Sequence, residues 1–135
     1  MPRLSIWLIR AALIYLLLGF TFGALILIQK GTNLFPATWQ LLPLHIEFLL
    51  FGWTLQLIMG TAFWILPRFM QEPKRGNQSS MGMAFGLLNV GLVLVVGSVV
   101  LPEISGLFFL GRLAEFAGVG AFVLNAWPRV KPFGH

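Results

Sequence analysis

Five ionisable side chains fall inside otherwise apolar stretches of this chain: Arg10, His45, Glu47, Arg112 and Glu115. Gln56, Asn89 and Asn125 lie in the same kind of surroundings. A charge in hydrocarbon is costly, so each such residue marks a pair, a pathway or a cofactor site. His45 offers an imidazole, the commonest metal ligand and a frequent haem axial ligand. The competing role is an interfacial histidine that reaches the lipid headgroups. Positions 45, 49, 52, 56, 60 and 63 recur at helical spacing and read His, Leu, Gly, Gln, Gly, Phe. Gly52 and Gly60 on this face leave room for a flat group, with Gln56 between them; small residues also suit close helix packing. Glu47 is two residues on, about 200° round the helix. It therefore points away from His45, toward a neighbouring chain or the headgroups. Arg112 and Glu115 are three apart and pair on one helical face. Either that pair only neutralises itself, or Arg112 also serves as a forked donor to an acid such as a haem propionate. Arg10 snorkels to the headgroups, with Asn125 at similar depth as its partner. His135 is the only other histidine, and as the last residue it is a poor ligand, about one bilayer from His45.

These residues need elements to position them, and the composition dictates which. Of 135 residues, 58% are hydrophobic and 10% charged, with mean hydropathy +0.88. A soluble domain is nearer a quarter charged. Disordered and nucleic-acid-binding chains are excluded on that ground, and a soluble globular domain is strongly disfavoured. The absence of cysteine excludes disulfides, zinc–thiolate and iron–sulfur sites, and Cys nucleophiles. A membrane span needs about 20 apolar residues. Uncharged runs at Ala11 to Gln29 and Phe48 to Pro67, a third beginning at Met81, and a fourth from Gly106 to Trp127 meet that length. Breakers lie between them: Gly31, Pro67, the polar stretch Glu72 to Asn77, Pro102 and Pro128. The expectation is an all-α, integral-membrane four-helix bundle over 1–135, with helices at about 5–29, 43–67, 80–101 and 106–127. The first segment exceeds the ~7–15 apolar residues of a signal peptide, so it reads as a span.

Arg3, Arg68, Lys74, Arg75, Arg129 and Lys131 fall on one side of such a bundle and only Lys30 on the other. The positive-inside rule then puts both termini in the cytoplasm. Trp7, Trp64 and Trp127 lie at the inner interface and Trp39 at the outer one. Gly19/Gly23 and Gly82/Gly86 have the G-x-x-x-G spacing of close helix contacts, within or between chains. No Ser/His/Asp set, phosphate loop or H-E-x-x-H appears.

The stretch from Leu44 through His45, Glu47, Gly52 and Trp53 to Gly60, Phe63, Trp64, Leu66, Pro67 and Arg68 resembles the second helix of subunit I of haem–copper oxidases and nitric oxide reductases. The shared pattern is an outer His, a Gly seven residues on, another eight later, then an aromatic and Leu-Pro-Arg at the inner end. It extends over about 25 residues, with Asn89-Val90-Gly91 in the third helix; the rest is hydropathy alone. The resemblance implies that His45 is an axial ligand of a b-type haem. It implies too that the chain is one four-helix arc of a twelve-helix, pseudo-threefold subunit. With one usable His the chain cannot build a haem–copper centre, so a cytochrome-type haem protein is favoured over a complete oxidase.

The expected function is therefore a haem b-binding protein of the bacterial inner membrane, in electron transfer or small-gas binding. It would work as a homo-oligomer, a trimer rather than a dimer, with a redox partner protein. His45 is the iron ligand, Gly52, Gln56 and Gly60 line the haem face, and Arg112 holds a propionate. The second axial ligand is His45 of a neighbouring chain, Met81 or Met83, water, or nothing. The rival reading is a cofactor-free structural or assembly subunit, with a small-solute or proton transporter third. The orientation has a direct check. In a chain without native cysteine, Ser105→Cys should react with an impermeant maleimide on intact cells, and Gln71→Cys only after permeabilisation.

Overall fold

The computed structural model describes residues 1–33 and 36–130. Among them the chain is all-helical, with four helices long and apolar enough to cross a membrane. Helix α1 is Arg3–Thr32, and a 3-10 turn, Pro36–Leu41, leads into the second span. That span, α2, runs without a break through an α-helical Leu42–Glu47, a π-helical Phe48–Leu55 and an α-helical Gln56–Ile65. Helix α3 is Gln78–Val100 and α4 is Leu107–Ala126, closed by a 3-10 turn at Trp127–Arg129. His135 lies outside the described residues.

Local chemistry sets the ends. The residue before a proline avoids the helical region, so Leu66, ahead of Pro67, is extended at ψ 145° and α2 stops at Ile65. Asn77 caps α3 by accepting from the Ser79 and Ser80 amides at 2.9 and 3.3 Å. Loss of helix at Pro67 leaves carbonyls without intrahelical donors. Arg129 supplies them: its guanidinium donates to the carbonyls of Phe63, Leu66 and Pro67 at 3.0, 2.8 and 3.0 Å. Arg75 adds a bond to Trp64 O at 3.1 Å. Both cations also oppose the negative end of the α2 dipole. By sequence Arg129 counts only as a topogenic charge, yet it is 1% exposed.

The helices pack as two hairpins. Helices α3 and α4 touch backbone to backbone through Gly91, Gly111 and Gly118. A Cβ on Gly91 would stand 2.8 Å from Gly111 O and 2.9 Å from Glu115 N; one on Gly118 would stand 3.0 Å from Ala84 O and Leu88 N. In α1 and α2 the contacts descend one helix as they climb the other: Gly23 meets His45, Gly19 meets Leu49, Tyr15 meets Gly52 and Leu8 meets Gly60. Gly19 and Gly23 thus form the close contact their spacing suggests. Gly82 and Gly86 face open space within the chain, and the glycines of the α3–α4 seam carry no such spacing signal. Leu8, Met59, Phe63, Met81, Ala84, Leu88 and Leu92 make the apolar core between the hairpins.

Because the Glu115 side chain and the α4 backbone both crowd that position, Gly91→Val should cost about 1–3 kcal/mol, read as a lower thermal midpoint in detergent. Gly82→Ala should stay within about 0.5 kcal/mol of wild type.

Candidate functional site

The His45 end of the bundle collects most of the candidate residues. His45 is half-buried against α1, where the absence of a side chain on Gly23 makes room for its ring. Its Nδ1 lies 2.7 Å from Gly19 O. A carbonyl oxygen only accepts, so Nδ1 carries the proton and Nε2 keeps the lone pair in the neutral ring.

Glu47 faces the opposite way, but toward neither the headgroups nor another chain. It is 3% exposed and forms a forked pair with Arg112 of α4, Nη1 to Oε1 at 2.9 Å and Nη2 to Oε2 at 2.6 Å. The expected i,i+3 partner is present as well: Arg112 Nη1 donates to Glu115 Oε2 at 2.7 Å. The guanidinium lies over the rings of Phe51 and Phe108, 4.8 and 5.1 Å from their centroids. One cation thus serves two carboxylates inside an apolar clamp. Beside it a cavity of about 310 Å³ is lined by Leu42, Pro43, Ile46, Val95, Val99 and Phe108 together with Glu47 and Arg112.

The structure distributes the haem-face residues differently from the sequence expectation. Within one copy, the Tyr15 side chain fills the space beside Gly52, and Leu8 and Ile9 fill that beside Gly60. In this fold both glycines serve contact with α1. Gln56 is fully buried; its Nε2 reaches Leu8 O at 3.5 Å and its Oε1 accepts from Asn89 at 3.0 Å. Asn89 also accepts from the Tyr15 hydroxyl at 2.9 Å. These groups are one polar network joining α1, α2 and α3. Arg112 is already paired with two acids, and a third carboxylate such as a propionate would add unbalanced negative charge beside them. Met81 is fully buried in the core cluster, so it offers nothing to His45 of its own chain. Arg10 is exposed, while Asn125 donates to Asn77 O at 2.8 Å rather than pairing with Arg10.

Two features carry no clear sequence signal. The π-helical stretch begins directly after Glu47, and Thr54 Oγ1 bonds Leu49 O, five residues back, at 2.8 Å. Such wide turns concentrate at functional sites. The Glu47–Arg112 contact spans 65 residues, and only the matching depth of the two residues hinted at it.

Among the described residues no three His, Asp or Glu side chains cluster as a metal cage. Comparison with known protein families, curated proteins and solved structures finds no match.

Breaking a buried ion pair leaves an uncompensated charge and costs about 3–5 kcal/mol. Arg112→Ala should lose stability on that scale in a denaturant titration in detergent. A double-mutant cycle with Glu47→Ala should show strongly non-additive coupling.

Proposed function

We propose that the chain is a haem-binding membrane subunit that works as a homo-oligomer, with His45 Nε2 as an axial ligand of haem b. The observation that carries this is the 2.7 Å contact from His45 Nδ1 to Gly19 O. Ligating histidines commonly donate the second ring N–H to a carbonyl or carboxylate, which fixes the tautomer and raises ligand basicity. The Gly23 gap and the Gly19 carbonyl set up that arrangement here.

Fit to the cofactor is partial, and the misfit narrows the proposal. The donor suits iron. The face carrying Gly52, Gln56 and Gly60 is filled by α1, and Arg112 is committed to Glu47 and Glu115. A haem on His45 therefore belongs at a junction between copies rather than inside one bundle, which is why the reading requires an oligomer. The resemblance to one arc of a threefold subunit favours a trimer, and closed symmetry is the general rule for homo-oligomers. Bound there, the group supplies one-electron transfer or a site for a small gas. The protein's part is to hold the imidazole in one tautomer, hold the iron within an apolar surround, and exclude water. In this reading the subunit lies in the bacterial inner membrane with both termini cytoplasmic, His45 toward the outer side, beside a redox partner protein.

The rival reading, a cofactor-free structural or assembly subunit, is favoured by one specific observation. Every residue of the supposed haem face, His45 included through Gly19 O and Gly23, already has a packing or hydrogen-bonding partner in its own chain. Visible spectroscopy of the detergent-purified oligomer separates the two. Haem binding predicts a Soret band with b-type bands on reduction, lost in His45→Ala while the oligomer persists. A colourless wild type that stays colourless when supplied with haem establishes the rival.

A further inference from the structure

The cluster at the His45 end has an imbalance that packing does not remove. Two carboxylates, Glu47 and Glu115, meet one guanidinium, Arg112. Fully ionised, the group carries one net negative charge, with Glu47 and Glu115 3% and 2% exposed. No other ionisable side chain offsets it from the elements packed against Glu115. Helix α2 contributes Glu47, α4 contributes Arg112, and α3, which presents Gly91, has no ionisable residue at all. An isolated charge in such surroundings is far costlier than a neutral acid.

The two acids are not equivalent. Both Glu47 oxygens accept from Arg112, which makes that pair neutral and complete. Glu115 uses only Oε2; its Oε1 is buried without any hydrogen-bond partner. A buried, unpartnered carboxylate oxygen is among the most expensive groups a protein can hold.

We infer that Glu115 is a proton-binding site, carrying a proton on its carboxyl group at neutral pH while Glu47 alone serves as the counter-ion of Arg112. Proton binding converts the Glu115 carboxylate to the carboxylic acid, with no other bond made or broken, and leaves the cluster neutral. The cavity lined by Glu47 and Arg112 adjoins the cluster and does not include Glu115 in its lining. The inference is independent of the haem reading and holds whether or not His45 binds iron.

Infrared spectroscopy of the detergent-purified protein at neutral pH tests it. The chain has only four acidic side chains, all Glu, so a carboxylic C=O band is assignable. Wild type should show one such band, shifted in heavy water. Glu115→Gln, which mimics the neutral acid in shape, should abolish it. Glu47→Gln should abolish it too, because Arg112 then needs the Glu115 charge. A wild type without the band, or a band that survives in either variant, overturns the assignment.

Discussion

Apolar helices in hydrocarbon gain little from hydrophobic attraction, so something else must hold two hairpins together. Here polar contacts do so at three depths. At one end the Glu47–Arg112 fork ties α2 to α4. At mid-depth the Tyr15–Asn89–Gln56 network ties α1 and α2 to α3. At the other end Arg129, just past α4, closes over the last carbonyls of α2. Each contact satisfies groups that would otherwise be stranded without water, so each is specific in a way that leucine packing is not. The position of His45 follows from the first of these, because the fork fixes the rotation of α2 and turns the imidazole toward α1.

That arrangement gives the two readings of the chain a common origin. The glycines at 52 and 60 admit either a ligand or a helix, and in the single copy the helix takes the space. What α1 fixes in His45 is the Nδ1 side of the ring, oriented by a backbone carbonyl. The chain's exposed apolar surface, including Leu17, Phe20, Phe116 and Leu124, leaves ample area for lipid or for further copies.

Legibility in the sequence followed the physical range of each signal. The four spans were readable because membrane thickness imposes length and composition directly, and their observed ends differ from expectation by a few residues. The face shared by His45, Gly52, Gln56 and Gly60 was readable from helical spacing, but not what covers it, since that depends on how α1 docks. The Arg112–Glu115 pair was local and therefore visible. The Glu47 fork and the Arg129 clasp join residues more than sixty apart, and composition carries no trace of them. The α3–α4 seam was missed because Gly91, Gly111 and Gly118 are divided between two helices, so neither carries the motif by itself.

The widened turn at Phe48–Leu55 bears on how this span can drift over evolutionary time. Removing a residue from a regular α-helix rotates everything beyond it by about 100°. Were the helix regular between His45 and Gln56, such a loss there would swing Gln56 and Gly60 off α1 while His45 stayed in place. A π-helical turn bonds five residues back instead of four, so it holds about one residue more than an α-helical turn. A shorter sibling could lose that residue here, close to a plain helix, and keep both ends in phase. Length variation among relatives of this chain should therefore be concentrated at this one stretch of the second span.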